Sequence, residues 1–196
     1  MPDTPELLVA DAAAWHAWLA DNHATTPGVR LVLAKKGARE PTRLTYDEAL
    51  PEALCFGWID GQLTGRDDVT YRVRFTARRA RSAWSQRNVE AAERLIADGR
   101  MQPAGLAAVE QARADGRWDK AYRGSATIEV PDDLRDALAA SPRAQATWDV
   151  LTRTNRYAVL YRVQEAKRAD TRARRITQYV EMLARGDTPH PQKSKP

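Results

Sequence analysis

Apolar positions in the first part of the chain alternate between the spacing of a helix and that of a strand. Trp15, Trp18 and Leu19 follow the i, i+3, i+4 spacing of one helix face, and Asp11 stands where an N-cap residue belongs. We expect this helix to end near residue 22, before a Thr-Pro-Gly turn. The apolar run at 29–34 then predicts a strand that leads into a Lys-Lys-Gly turn.

The next stretch predicts one helix and at least one strand. Thr45 and Glu48 have the spacing of a capping box, which predicts a helix through Leu54. Residues 57–61 begin and end with glycine and predict a turn or a short strand. Residues 71–76 alternate with period two, so the aromatic and valine side chains should face inward and the arginines outward or into a cleft.

Two more helices are indicated before residue 120. Ser85 is a candidate N-cap for a helix that ends at Gly99. Pro103 in a first turn and Gly116 beyond the last turn are typical of the two ends of a further helix. Residues 127–131 look extended.

After residue 130 the pattern is helical throughout. The four predicted helices cover 132–140, 142–151, 155–166 and a stretch that begins with an Asp170 cap. The sequence therefore predicts an α+β fold, with a small sheet and flanking helices in the N-terminal two thirds. We expect an α+β domain at 1–130, a helical segment packed on it at 131–187, and a disordered tail at 188–196.

Composition excludes several classes of protein. The chain has 196 residues, of which 43% are hydrophobic and 29% charged, which is typical of a globular protein. One cysteine excludes an intramolecular disulfide and a cysteine zinc site, and His16 and His23 would lie about 10 Å apart on one helix. We expect no metal and no cofactor. No apolar run suits membrane insertion and the acidic N-terminus lacks a signal sequence, so a cytoplasmic location is expected.

The positive charge is concentrated in two segments. The formal net charge is +5; residues 66–88 carry +5 and residues 162–175 carry +4, so the rest of the chain is slightly acidic. Most of the basic residues are arginine, whose planar fork matches phosphate and carboxylate groups. This distribution points to a small anionic ligand or an acidic partner.

The first basic segment contains the best candidate site. Arg78, Arg79 and Arg81 come directly before the predicted helix that Ser85 opens, and a helix N-terminus already favours anions. Trp84 offers a stacking surface and Asn88 a neutral hydrogen-bonding group. The alternative is that Trp84 belongs to the core, and that the arginines are solvated or pair with the two aspartates at 67 and 68.

Three further residues complete the candidate ligand-binding set. Trp58 and Asp60 lie between two glycines, and Arg74 is on the predicted strand at 71–76. Asp60 has three possible roles: binding a ligand donor, pairing with an arginine, or closing an Asp-Gly turn. Cys55 has no basic neighbour in the sequence and is interpreted as a small buried hydrophobe.

Several motifs resemble one known family. These are Ala-Leu-Cys-Phe-Gly-Trp-Ile-Asp-Gly at 53–61, the Arg-Phe-Thr to Trp-Ser stretch at 74–88, and Asn-Arg-Tyr, Ala-Lys-Arg and Thr-Arg-Ala-Arg-Arg-Ile at 155–157, 166–168 and 171–176. Together they resemble the YdeI/OmpD-associated family, also labelled bacteriocin-protection, over roughly residues 5–188. The resemblance implies a link to bacteriocin or envelope-stress resistance. It implies no reaction and no cofactor.

Three functions remain open, and the sequence favours the first. The first is a non-catalytic cytoplasmic binding protein with an arginine- and tryptophan-lined site for a small anion or a protein partner. The second is an enzyme acting on a small anionic substrate, with Asp60 as the one attractive acid or base. The third is nucleic-acid binding through both basic segments. The sequence assigns no catalytic residue and no oligomeric state.

Overall fold

The computed structural model describes residues 4–124 and 127–192, and it divides the chain into two units. The first unit is Met1–Ala121 and the second is Tyr122–Pro196. Each unit has its own hydrophobic core. The two are described separately below.

The first unit is an α+β structure built on a four-stranded sheet. Its strands lie in the order β1-β2-β4-β3, with β1 parallel to β2 and the other neighbours antiparallel. In chain order the elements are β1 (Glu6–Leu7), α1 (Ala12–Asn22), β2 (Val29–Ala34), α2 (Tyr46–Cys55), β3 (Trp58–Gly65), β4 (Thr70–Ala77), α3 (Gln86–Ala97) and α4 (Pro103–Ala114).

The two faces of the sheet differ in chemistry. Leu31 of β2 and Phe75 of β4 are fully buried in the core, together with Trp15 of α1. Arg30 of β2 lies directly opposite Arg74 of β4, and both belong to the other face, because side chains alternate along a strand. The predicted inward and outward positions of residues 71–76 are therefore confirmed.

Local capping signals fix three helix starts as the sequence predicted. The Asp11 carboxylate accepts a hydrogen bond from the Ala14 N–H at 3.0 Å. Thr45 and Glu48 form the capping box of α2. The Ser85 hydroxyl accepts from the Asn88 N–H at 3.2 Å.

The second unit, in its described part, is helical. Its elements are α5 (Asp132–Ala139), α6 (Pro142–Asp149), α7 (Arg153–Glu165) and α8 (Ala169–Ala184). The expected Asp170 cap is wrong by two positions, because Arg168 is the N-cap of α8. Asp170 lies in the first turn instead, where its carboxylate interacts favourably with the positive end of the helix dipole. Residues 127–131, expected to be extended, form no strand.

Two residues of the predicted tail form hydrogen bonds with the start of α7. The Asn155 side chain at the start of α7 donates to the His190 carbonyl at 3.0 Å and accepts from the His190 N–H at 2.8 Å. It also donates to the Gln192 side chain at 2.8 Å. Residues 193–196 of that predicted tail lie outside the described residues. Within the described ranges, no helix is long and apolar enough to cross a membrane.

Candidate functional site

Of the predicted site residues, Trp58 belongs to the interior of the first unit and Asp60 is half-buried. Trp58 is 1% exposed, and its indole N–H donates to the His23 carbonyl at 3.1 Å. Asp60 accepts a hydrogen bond from the Tyr46 hydroxyl at 2.9 Å, which corresponds to none of its three expected roles. Burial, and after it the Asp60 carboxylate, raises the pKa of Tyr46, so the phenol stays protonated and able to donate.

Arg74 is exposed on the outer face of the sheet. Trp58 pairs in the sheet with Ala77, the residue before Arg78, so it lies next to the start of the segment 78–88. The side-chain hydrogen bonds of Trp58 and Asp60 nevertheless join them to His23 and Tyr46 rather than to the other four predicted residues, which share that segment.

Arg78 and Trp84 form the rigid part of the segment. The Arg78 guanidinium carbon lies 3.6 Å from the Trp84 ring centroid, a close cation–π contact. Its Nη1 donates to the Ala83 carbonyl at 3.0 Å, and its backbone N–H donates to the Gly57 carbonyl at 2.9 Å. Arg78 therefore holds the loop in shape.

A second tryptophan, which the sequence did not suggest, supports Trp84 from α4 and the loop that follows. The Trp118 ring lies 4.9 Å from the Trp84 ring at an interplanar angle of 60°, and the Arg113 guanidinium lies 5.0 Å from the Trp118 centroid. Arg117 donates to the Ser82 carbonyl at 2.8 Å. No sequence spacing marks these contacts, because α4 and the loop meet only in the folded chain.

One polar atom just before α3 is buried without a hydrogen bond. Trp84 is 2% exposed and belongs to the hydrophobic core, as the alternative interpretation expected, and its Nε1 is a buried donor that has no partner among the described residues. The Asn88 side-chain amide also makes no hydrogen bond within the same ranges, although the Asn88 backbone N–H donates to Ser85. Buried polar groups are nearly always satisfied, so the unpaired Trp84 N–H needs an explanation.

Arg79 and Arg81 lie in the same segment and carry charge that no carboxylate neutralises. Both are exposed, and within the described part of the chain neither guanidinium has a hydrogen bond or an ion pair. Asp67, one of the two expected partners, is instead bonded to Arg66 and Thr70. The segment thus combines a helix N-terminus, two unneutralised guanidinium groups, an unsatisfied indole N–H and the Asn88 amide, which is chemistry suited to an oxyanion.

In the described residues, no group of side chains is suited to metal binding or to thiol chemistry. No three His, Cys, Asp or Glu side chains there group so that they could hold an ion. Cys55 is fully buried, and burial is the main cause that raises its pKa to about 11. A thiol with so high a pKa is a poor nucleophile at neutral pH.

Comparison with known families divides the chain in two. Residues 7–108 match the family model of a domain of unknown function, DUF8412. Residues 127–186 match the family described as bacteriocin-protection, YdeI or OmpD-associated, which confirms the resemblance for the helical unit. The motifs at 53–61 and 74–88, on which the resemblance over residues 5–188 also rested, lie within the DUF8412 match. No curated protein and no solved structure compared with the chain matches it.

Proposed function

The chain belongs to the DUF8412 family, and from that premise we propose that it is a non-catalytic binding protein whose first unit holds a small oxyanion at residues 78–88. A phosphate or a carboxylate is the expected chemistry. Arg79 and Arg81 supply the positive charge. Trp84 and Asn88 supply neutral hydrogen-bond donors next to the free N–H groups of the α3 N-terminus.

The buried, unsatisfied indole N–H of Trp84 carries the proposal. An unpaired buried donor costs about 1–3 kcal/mol, so a fold that keeps one beside a helix N-terminus gives up stability there. A bound oxyanion would accept from this N–H and from the Asn88 amide and recover that loss. The Arg78 guanidinium and the Trp118 ring, which pack against the Trp84 ring, would keep the donor in position, which lowers the entropy cost of binding.

The two alternative functions have less support. For an enzyme, Asp60 would need a second acid or base, but its carboxylate is already engaged with the Tyr46 phenol. For nucleic-acid binding, the outer sheet face with Arg30 and Arg74 is basic. Glu6 forms ion pairs with Arg66 and Arg72, however, and these neutralise part of the positive charge. A cytoplasmic location stays a prediction. A role in bacteriocin protection also stays a prediction, and it comes from the description of the family that residues 127–186 match.

The test is a titration of the full chain with inorganic phosphate, followed by the indole N–H signals in ¹H–¹⁵N spectra at constant ionic strength. The Trp84 signal is identified as the one that Trp84→Phe removes. We expect a saturable shift of this signal, and an affinity at least about tenfold weaker in the double variant Arg79→Ala/Arg81→Ala, because a hydrogen bond to a charged group is worth about 1.5–3 kcal/mol.

The matched control is Arg39→Ala/Arg94→Ala, which removes the same charge from two exposed arginines elsewhere in the first unit. It should change the affinity less than about twofold if contact matters more than net charge. Equal losses in both double variants, or no saturable shift, would contradict the proposal. Far tighter binding of a single-stranded oligonucleotide, lost steeply with salt, would favour the nucleic-acid alternative instead.

A further inference from the structure

The helical unit contains a cavity of about 300 Å³ that is open to solvent on one side. Its walls are mostly apolar: Ile128, Val130, Trp148, Leu151 and Leu160. An apolar cavity of about 150 Å³ holds benzene, so this one has room for roughly a dozen non-hydrogen atoms. It is at the lower end of the usual range for ligand pockets.

Arg156 brings an unneutralised charge to this apolar wall. Its Nη2 donates to the Asp149 carbonyl at 2.8 Å, and its guanidinium carbon lies 5.7 Å from the Trp148 ring centroid. Its Nε is buried and has no hydrogen-bond partner in the described ranges, where no carboxylate pairs with Arg156 either. The guanidinium is therefore fixed in place by a neutral carbonyl and an aromatic ring, and its charge is left uncompensated.

Two further polar groups line the same cavity. Arg153 is exposed, and it too has no ion pair within the described residues. Tyr157 is half-buried beside Tyr161, with ring centroids 5.8 Å apart; burial is the main cause that raises its pKa to about 12, so its phenol is a donor at neutral pH. None of the described residues that line the cavity is acidic.

The arginines of the cavity differ from most others in this unit. Arg172 is bonded through two nitrogens to Asp133, Arg168 pairs with Asp170, and Arg185 pairs with Asp187. An arginine that is buried or half-buried usually has a partner, because an unpaired charge near apolar surface is costly. The absence of a partner for both cavity arginines, within the described residues, points to one supplied by a ligand.

We propose that this cavity binds a small amphipathic organic anion, with a flat apolar body against Trp148 and Leu160 and a carboxylate between Arg153, Arg156 and Tyr157. The apolar walls supply affinity by burying the ligand body, and the guanidinium groups select the anion over its neutral analogue. The site lies in the second unit and does not rest on the function proposed for residues 78–88.

The probe is 2-naphthoate, a flat carboxylate of suitable size, titrated into the full chain by isothermal calorimetry. Its neutral isostere, 2-naphthamide, should bind at least about tenfold more weakly, because it cannot form the charge-assisted hydrogen bonds. Arg156→Gln should weaken naphthoate by about ten- to a hundredfold, and Tyr157→Phe by a smaller factor. Arg143→Ala, an exposed arginine of α6 outside the cavity, is the matched control and should leave the affinity within about twofold.

Two other variants guard against misfolding of Arg156→Gln, which also loses contacts to Trp148 and Asp149. Arg153→Ala removes an exposed side chain that makes no hydrogen bond or ion pair within the described residues, and it should still weaken naphthoate several-fold. Val130→Trp should abolish binding by filling the cavity, with all the charges retained. Equal binding of naphthoate and naphthamide would overturn the anion preference, and naphthoate binding that survives Val130→Trp would overturn the location. The variant Arg79→Ala/Arg81→Ala should bind naphthoate normally, which keeps this result separate from the phosphate test.

Discussion

Replacing Gly105 by alanine tests the close approach of α4 to α2, the packing that supports the loop at residues 78–88 through Trp118. Gly105 is buried within α4. A Cβ built there would lie 2.3 Å from the Cys55 carbonyl oxygen and 2.8 Å from the Leu54 carbonyl oxygen. Both neighbours are backbone atoms of α2, so no side-chain rotation can relieve the contact.

Two effects of opposite sign decide the outcome. Alanine is favoured over glycine inside a helix by about 1 kcal/mol, which would stabilise α4. Overpacking costs about 1–3 kcal/mol, and a contact with rigid backbone, more than 1 Å inside ordinary van der Waals distance, belongs near the upper end of that range. We therefore expect Gly105→Ala to destabilise the first unit by about 2 kcal/mol.

Cys55 provides the assay, because it is the one cysteine of the chain and is fully buried at this contact. Its rate of alkylation in the native protein reports how often the first unit opens, independently of the second unit. A loss of about 2 kcal/mol corresponds to roughly thirtyfold faster alkylation. The control Ala107→Gly, at an exposed position of α4, should speed it by roughly fivefold through helix propensity alone. Alkylation of Gly105→Ala at or below the wild-type rate would refute the reasoning, since the helices would then have room for the methyl group.

Two further predictions concern the second unit and the pH dependence of the first. The buried Asn155 amide holds the segment around His190 and Gln192 through hydrogen bonds. Asn155→Ala should therefore lower the unfolding free energy by about 1–3 kcal/mol and make that segment sensitive to proteolysis, and unchanged cleavage would contradict this. The Thr70 hydroxyl is the main group that lowers the pKa of Asp67 from its ordinary 3.8 to about 2, with the backbone N–H groups that follow. The stabilisation that this carboxylate provides is complete above its unfolded pKa and is lost as the pH falls towards 2. In Asp67→Asn, the unfolding free energy measured by urea denaturation should therefore fall less steeply as the pH is lowered.

The helices were the most predictable part of the fold, because their signals are local. Asp11, the Thr45–Glu48 pair and Ser85 each bond to a backbone group within three residues, so the sequence spacing alone contains the interaction. β1 was missed because Glu6 and Leu7 are too few to show any period; pairing with β2 alone makes them a strand. The Asp170 cap failed because an acidic residue suits both the cap and the first turn.

The candidate site was only half predictable for the same reason. Arg78, Arg79, Trp84 and Asn88 share one loop and one helix start, so the sequence could group them. Their support by Trp118 depends on where α4 packs, and no spacing along the chain encodes it. Asp60 shows the converse: its neighbours in sequence left three roles open, and the Tyr46 phenol of α2 gave this strand residue a fourth.

Charge counted along the chain also differs from charge available in space. The segment 162–175 is one of the two most basic stretches, yet Arg172 is neutralised by Asp133 from α5, while Arg175 and Arg162 share Glu165. Arg153 and Arg156 lie just before that stretch and do not stand out in composition, but within the described residues no acid faces either of them. A search for anion sites therefore gains more from asking which guanidinium groups lack a carboxylate than from counting arginines. Exposed arginines such as Arg39 and Arg143 also meet that criterion, so it is sharpest where an unpaired buried polar atom is present as well. Among the described residues we propose two such places, the loop before α3 with Trp84 and the cavity beside α7 with Arg156.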